Sequence, residues 1–536
     1  MCKKKVLILA LDGFTWRIGK RLTGEGQMPV LAGLLAQGSH GNLKSVIPSE
    51  TSPAWSSFQT GCHPDKTGVF AFHGFLRQTR NIKLNSFQEI KIPTIWELLS
   101  VAGKKVVSIN MPMTSPPPQI NGIIIPGLTC PKLSSETVHP PEIFDKYIAH
   151  NPDYLIVNNE HQPDLCSSVT QAIKTETARC CLALQLMREI EWDLFSVQIQ
   201  STDVFQHRNW WAVDPDAEGF TEEAHSQAIE FYKSIDSILG KLIGAAGQSV
   251  LTVILSDHGF CAKKAEIGIN TWLSQNGYLS LNDVRKNTPF QSFKETMKDT
   301  VPLVRQLARA YGKVKGLFSA SSSGQREKKS AIYSEKVVKH IRETIDLDRT
   351  FAFCLGGMAG LLYLIDRTQK GKAASIIREL LDAYGPESRE PLISDIQPIE
   401  NFCQNADENY PDYIIGFLPG IEGRIGPESS SIVNLGVIDG KQSGTHEQNG
   451  IYLLNGQNIK TNFLCNADIV DITPTLLAYL GIAIPDHMDG KVLIDVFENA
   501  PSIQQQKTPF DKYESADYSG EEQSDVEKRL ADLGYL

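Results

Sequence analysis

The stretch VLILALDG at residues 6–13 runs six apolar residues straight into an acid and a glycine. An apolar run of that length, without alternation, is short for a helix and reads as a strand buried on both faces, as in a parallel sheet. Asp12 then stands just past the carboxyl end of the strand, where open parallel sheets collect their reactive groups. Similar runs at 106–109, 194–199, 250–255 and 413–417 read as further buried parallel strands. Helical stretches at 28–37, 94–101, 169–190 and 222–243 alternate with most of them. This βαβ rhythm predicts a doubly wound, layered α/β fold with helices on both faces of a mostly parallel sheet.

At 536 residues the chain exceeds what one hydrophobic core usually supports, so a large α/β domain with inserted segments, or two domains, is expected. Two regions break the rhythm. Residues 113–160 are rich in Pro and polar side chains, including Pro116-Pro117-Pro118, and residues 282–344 are basic and Ser-rich around 319–329. Segments this long commonly serve as lids or binding insertions. The reading divides the chain into a first core part at 1–285 with an excursion near 130–170, a cap at 286–350, and a second core part at 351–500. In the tail at 501–536, the acidic stretch 514–525 reads as a solvated linker before a short helix at 526–533.

Hydrophobic residues make up 41% and charged residues 21%, the composition of an ordinary globular enzyme. A formal charge of −10 argues against general nucleic-acid binding, because phosphate backbones are held chiefly by Lys and Arg. A small phosphate substrate stays open, since bound cations invert the field of an acidic site. The ten cysteines are scattered with no CxxC spacing, which predicts reduced thiols and a cytoplasmic location. Lys3-Lys4-Lys5 and the first apolar run imitate a signal peptide, but Asp12 interrupts it before a secretory core of about 7–15 apolar residues is reached. No run of about 18 apolar residues predicts a membrane span.

Four more short segments carry chemistry: Thr51-Ser52-Pro53, Asp203 to His207, Asp257-His258-Gly259 and Gly444-Thr445-His446. Alone, each has a plain reading. Asp-Gly after a strand is a turn signal, Thr-x-Pro a helix cap, and a loop His is solvated. Together with Asp12 they supply three carboxylates, three imidazoles and a hydroxyl, the donor set that two borderline divalent cations require. Asp203 and His207 are four apart, on one face of a helix. Asp257 and His258 are adjacent and need a sharp backbone bend, which Gly259 permits. Thr51, or its rival Ser52, enters a helix through Pro53. With no Ser-His-Asp order around it, coordination is the remaining way to activate its hydroxyl.

These residues resemble the alkaline phosphatase superfamily, and within it the type I phosphodiesterase and nucleotide pyrophosphatase branch, near a group of predicted phosphohydrolases or phosphomutases. The resemblance runs through residues 7–13, 51–61, 256–260, 270–279, 411–417 and 529–536. It implies an alkaline-phosphatase-like three-layer α/β/α core with inserted caps. It also implies two divalent metals, zinc or zinc with manganese. Asp12, Thr51, Asp257 and His258 would hold one, and Asp203, His207 and His446 the other, with Thr51 as the nucleophile that forms a covalent phosphoryl intermediate. The helix following Asp471 resembles the closing core helix, and its Asp reads as structural. Departures are Thr67-Gly68 where many relatives carry His-Gly, and Phe72 near the place of a phosphate-contacting Asn, with His73 either a substitute or a packing or turn residue. Thr51 and Trp55 stand where sulfatases need Cys or Ser and Arg, which argues against sulfate esters.

The expected function is therefore a metal-dependent phosphoric ester hydrolase, acting on a diester or pyrophosphate. A monoester carries an extra charge that a dedicated cation normally offsets, and no Arg adjoins the Thr51 motif. Trp55, Phe72 and Phe75 are candidates to line the pocket. A phosphomutase, phosphotransferase or phosphomonoesterase of the same superfamily is the alternative, and a metal-binding protein without turnover is the non-enzymatic one. Oligomeric state is left open.

Overall fold

The structure is a computed structural model, and it describes residues 4–158, 162–282, 344–403, 406–427, 431–435, 442–508 and 518–533. The first strand, Val6–Leu11, is wholly buried and lies at the centre of a nine-stranded sheet. It pairs in parallel with Leu194–Ile199 on one side and Leu251–Leu255 on the other. Val106–Ile109 and Gly122–Ile125 continue the sheet in parallel beyond 194–199. On the far side Asn449–Asn455 and Ser39–Lys44 form an antiparallel margin.

Both faces of the sheet are covered. Along the first strand Leu7, Leu9 and Leu11 join an apolar cluster with Trp16–Gly24, Leu165–Glu189 and Glu222–Ala246. Val6, Ile8 and Ala10 point into a second cluster with Thr51–Thr60, Ile95–Val101 and Ile472–Leu480. Alternation of side chains along a strand thus divides one apolar run between two cores. The result is the three-layer α/β/α arrangement that the sequence predicts.

One strand expectation is corrected. Tyr413–Phe417 is not part of the parallel sheet; it pairs antiparallel with Gly360–Leu364 and Ile393–Pro398 in a separate four-stranded sheet completed by Ala352–Leu355. That sheet has its own apolar cluster with Ile269–Gln275 and Lys370–Tyr384. A short apolar run encodes burial, and burial alone does not choose between parallel and antiparallel partners. The proposed cap at 286–350 lies outside the described residues up to 343. The acidic stretch at 514–525 is in part helical, because the final helix begins at Gly520 and runs to Leu533.

Several polar groups fix the layers. Asp471 accepts backbone N–H bonds from Asp468 at 3.0 Å and Lys491 at 2.7 Å, in the structural role expected of it. Buried Asp236, on the Glu222–Ala246 helix, accepts from the first amides of Pro29–Gln37, Val30 and Leu31, both at 2.9 Å. Those amides have no intrahelical partners of their own. Asp236→Ala should therefore lower unfolding stability by about 1–3 kcal/mol, measured by denaturant titration, with Asp236→Asn losing less.

Candidate metal centre

Asp12 and Asp257 follow adjacent parallel strands and so stand side by side at their carboxyl ends. Gly13 closes the first turn with φ +65°, and a Cβ there would meet the Phe260 ring at 2.9 Å. Its N–H donates to Asp257 Oδ1 at 3.1 Å, tying the two strand ends together. His258 Nε2 lies 3.3 Å from Asp257 Oδ2 and 3.6 Å from Asp12 Oδ1. Gly259 permits the bend for a different reason from the expected one. Its φ is ordinary, but a Cβ would come within 2.2 Å of the Asn449 carbonyl oxygen. The neighbouring strand requires the glycine, not a left-handed turn.

A second group forms where Ser201–Val213 meets a two-stranded ribbon of Gly259–Ala262 and Gly444–Glu447. Asp203 and His207 share one helix face, with His207 Nε2 3.4 Å from Asp203 Oδ1. His446 Nε2 reaches the same carboxylate oxygen at 3.2 Å and lies 3.0 Å from His207 Nε2. The His446 ring also stacks on His258 with centroids 3.6 Å apart, so the two groups adjoin. Sequence reasoning expected these six side chains to converge from four distant segments, and the structure brings them together as two sets of three.

The donor chemistry fits cations. Each His Nδ1 faces a backbone carbonyl: His207 that of Gly444 at 3.1 Å, His258 that of Gly259 at 3.1 Å, and His446 that of Ser49 at 3.0 Å. Carbonyls only accept, so Nδ1 carries the hydrogen and Nε2 turns a lone pair inward. In the second group the three facing atoms are separated by 3.0, 3.2 and 3.4 Å. Tetrahedral zinc with bonds of about 2.0–2.1 Å has ligand edges of about 3.3 Å. In the first group Asp12 Oδ1, Asp257 Oδ2 and His258 Nε2 are buried with no hydrogen-bond partner among the described residues. Buried polar atoms without partners are rare, and three converging on one point form a cradle for a cation.

The electrostatics agree. Burial, then the nearby Asp203 carboxylate, pushes Asp12 well above the ordinary carboxylate range. Burial and Asp12 do the same to Asp257. Burial and His446 hold His258 well below the ordinary imidazole value. For Asp203 burial opposes ionisation, but the His207 and His446 imidazoles outweigh it and hold the carboxyl well below its usual range. His207 is raised because Asp203 overcomes the effect of burial. In the first group, like charges are held in a dry pocket that only positive charge relieves.

Thr51 is the first residue of the helix Thr51–Thr60 and is completely buried, as is Ser52. The cap position belongs to Glu50, whose carboxylate accepts N–H bonds from Gly357 and Met358 at 3.1 and 3.2 Å. Trp55, one turn further on, donates its indole N–H to Asp12 Oδ2 at 2.8 Å. Trp55 therefore orients an acid and does not line a pocket, as was expected of it. Gln198 makes the matching bond to the same oxygen at 2.8 Å. Sequence reading missed Gln198, although an amide in an otherwise apolar strand end was the available signal. Phe72 packs with Leu84 and Val204, Phe75 stacks edge-on against Phe353 and Tyr363, and His73 faces Glu527 at 3.7 Å.

A three-layer sheet with paired acid and imidazole groups at its strand ends is the arrangement of the alkaline phosphatase superfamily of enzymes. Residues 6–348 match the profile described as type I phosphodiesterase / nucleotide pyrophosphatase, and the chain belongs to that family. Among solved structures it is similar to human ectonucleotide pyrophosphatase / phosphodiesterase 5, at 13% identity and TM-score 0.51, over 92% of this chain and 100% of that one. It is also similar to phosphonoacetate hydrolase from Sinorhizobium meliloti 1021 in complex with phosphonoformate, at 14% identity and TM-score 0.53, over 88% and 94%. These likenesses establish the fold. Comparison with curated proteins finds no match. The chain is thus placed among the phosphoryl hydrolases of the superfamily. Among the described residues no helix is long and apolar enough to cross a membrane.

Because folded Asp12 and Asp257 sit above their unfolded values, the stability they contribute is complete below about pH 4 and is lost as pH rises through the raised values. Chelator-treated Asp257→Asn should therefore melt at a higher temperature than chelator-treated wild type at about pH 8, with the difference vanishing near pH 4. Calorimetry across that range reads it, and a lower melting temperature at the alkaline end would contradict the charge-repulsion account.

Proposed function

We propose that the chain is a metal-dependent phosphoric ester hydrolase that acts on a diester or pyrophosphate through Thr51. One observation carries this reading: the start of the Thr51 helix is bound to both ligand groups. Trp55 bonds Asp12 of the first at 2.8 Å, and the Ser49 carbonyl accepts from His446 of the second at 3.0 Å. Thr51 lies between these two ties in sequence and starts a ten-residue helix whose positive end favours an anion.

Asp12, Asp257 and His258, with Thr51, would hold one cation, and Asp203, His207 and His446 the other. The nitrogen-rich second group favours zinc, and the oxygen-rich first group accepts zinc or manganese. Bound cations would supply Lewis acidity, favouring the ionised hydroxyl and offsetting charge on phosphoryl oxygens. Thr51 Oγ forms a bond to phosphorus while the bond to the leaving oxygen breaks. Water then attacks the phosphothreonine and restores the hydroxyl. Trp55 and Gln198 keep the Asp12 carboxylate aimed inward throughout.

Preference for a diester is supported by a cavity of about 350 Å³ beside His446, walled by Val46, Ile47, Met358 and Phe417 with Asp395 and Glu447. No Lys or Arg is among its described lining residues, so an extra phosphate charge finds no cationic side chain there. The nine described cysteines are free, which supports a reducing, cytoplasmic setting.

Metal-loaded protein assayed on an aryl diester, an aryl monoester and a nucleoside diester tests the proposal. Thr51→Ala should reduce turnover by several orders of magnitude with metal content retained. Unchanged turnover would remove Thr51 from the reaction, monoester preference would reverse the substrate class, and return of the phosphoryl group to a bound acceptor would identify a mutase.

A further inference from the structure

The segment 529–536 resembles the family but has no role in the chemistry above. In the structure its residues up to Leu533 belong to the helix Gly520–Leu533, whose contacts point to a definite task. Val526, Leu530 and Leu533 are buried against Phe72, Leu84, Leu128 and Val204, and Val204 is the residue after Asp203. Arg208, the residue after His207, donates to the Asp532 carbonyl at 3.3 Å. Gln442 donates to the Leu533 carbonyl at 3.3 Å, two residues before the Gly444 whose carbonyl orients His207.

All three side chains of the second ligand group therefore have near neighbours in sequence that touch this one helix. The two groups are supported differently. Asp12 and Asp257 follow central strands and are fixed by the parallel sheet. His207 lies two turns along a helix and His446 on a ribbon outside the nine-stranded sheet, so their approach depends on how those two elements dock. Docking is already close: Ser443 N donates to the His207 carbonyl at 2.7 Å, and a Cβ at Gly444 would meet the Gln206 carbonyl at 2.5 Å. The final helix spans both partners from outside.

We infer that the helix Gly520–Leu533 is a positioning element for the second cation site, clamping the Asp203–His207 helix to the His446 ribbon. The inference rests on the two-cation reading. Its anchors at Val204, Arg208 and Gln442 act through the ligands and touch no substrate. The helix is itself held in place by Tyr518, which donates to the Ser115 and Thr129 carbonyls at 2.7 and 2.8 Å, and by Arg529, which donates to the Leu128 and Pro131 carbonyls at 3.0 and 2.7 Å.

The test counts zinc per chain and measures its affinity by competition with a chromophoric chelator. The full chain is compared with a chain lacking residues 518–536 and with full-length Leu530→Asp, with Leu530→Met as the conservative control. Expected are two zinc ions in the full chain and in Leu530→Met. In the other two, one site should keep its affinity while the second weakens by about 10–100-fold, as loss of outer-shell support does. Adding the 518–536 peptide should restore the second site of the shortened chain. Two unchanged sites in both variants, or equal weakening of both sites, overturns the inference. Fewer than two ions in the full chain would instead overturn the two-cation reading on which it rests.

Discussion

Everything at this site depends on like charge held out of water. Asp12 and Asp257 end adjacent parallel strands, are completely buried, and are driven toward the protonated form, Asp12 by burial and Asp203, Asp257 by burial and Asp12. An isolated protein would relieve such strain by exposing one acid or pairing it with Lys or Arg. Here the surrounding structure does the opposite. Trp55, Gln198 and the Gly13 amide bond the outer carboxylate oxygens and leave the inner ones facing each other and His258. Charge on these acids is disfavoured by burial, and either a proton or a bound cation would relieve it.

The parallel sheet makes this affordable. Its central strands bury residues on both faces in two independent cores, so their ends are fixed to within a hydrogen bond of each other. The second ligand group lacks that direct support. It is assembled where one helix, one ribbon and the final helix meet, and tight glycine contacts replace sheet pairing as the constraint. Two candidate ligand groups only one ring stack apart thus have different mechanical origins.

The legibility of the chain follows the same division. Val6–Leu11, Leu194–Ile199 and Leu251–Leu255 were readable because double burial produces unbroken apolar runs, and the acids that follow them were readable because strand ends are where such sheets act. The Asp203 and His207 pair was readable from helical spacing. Tyr413–Phe417 was misassigned because its run reports burial and not the direction of its neighbour. Trp55 was misread as a wall because an indole N–H in a helix looks apolar until its partner, 43 positions earlier, is known.

What the sequence determined by itself was local: burial, periodicity, and the inventory of three acids, three imidazoles and a hydroxyl that the family resemblance assembled into a site. Tertiary structure alone decided the rest. Which Asp12 oxygen faces inward, which nitrogen of His207 and His446 keeps its lone pair, and which helix braces the second group are set by backbone carbonyls and side chains tens to hundreds of residues away. Orientation depends on partners brought close only by folding, and no one-dimensional pattern records them.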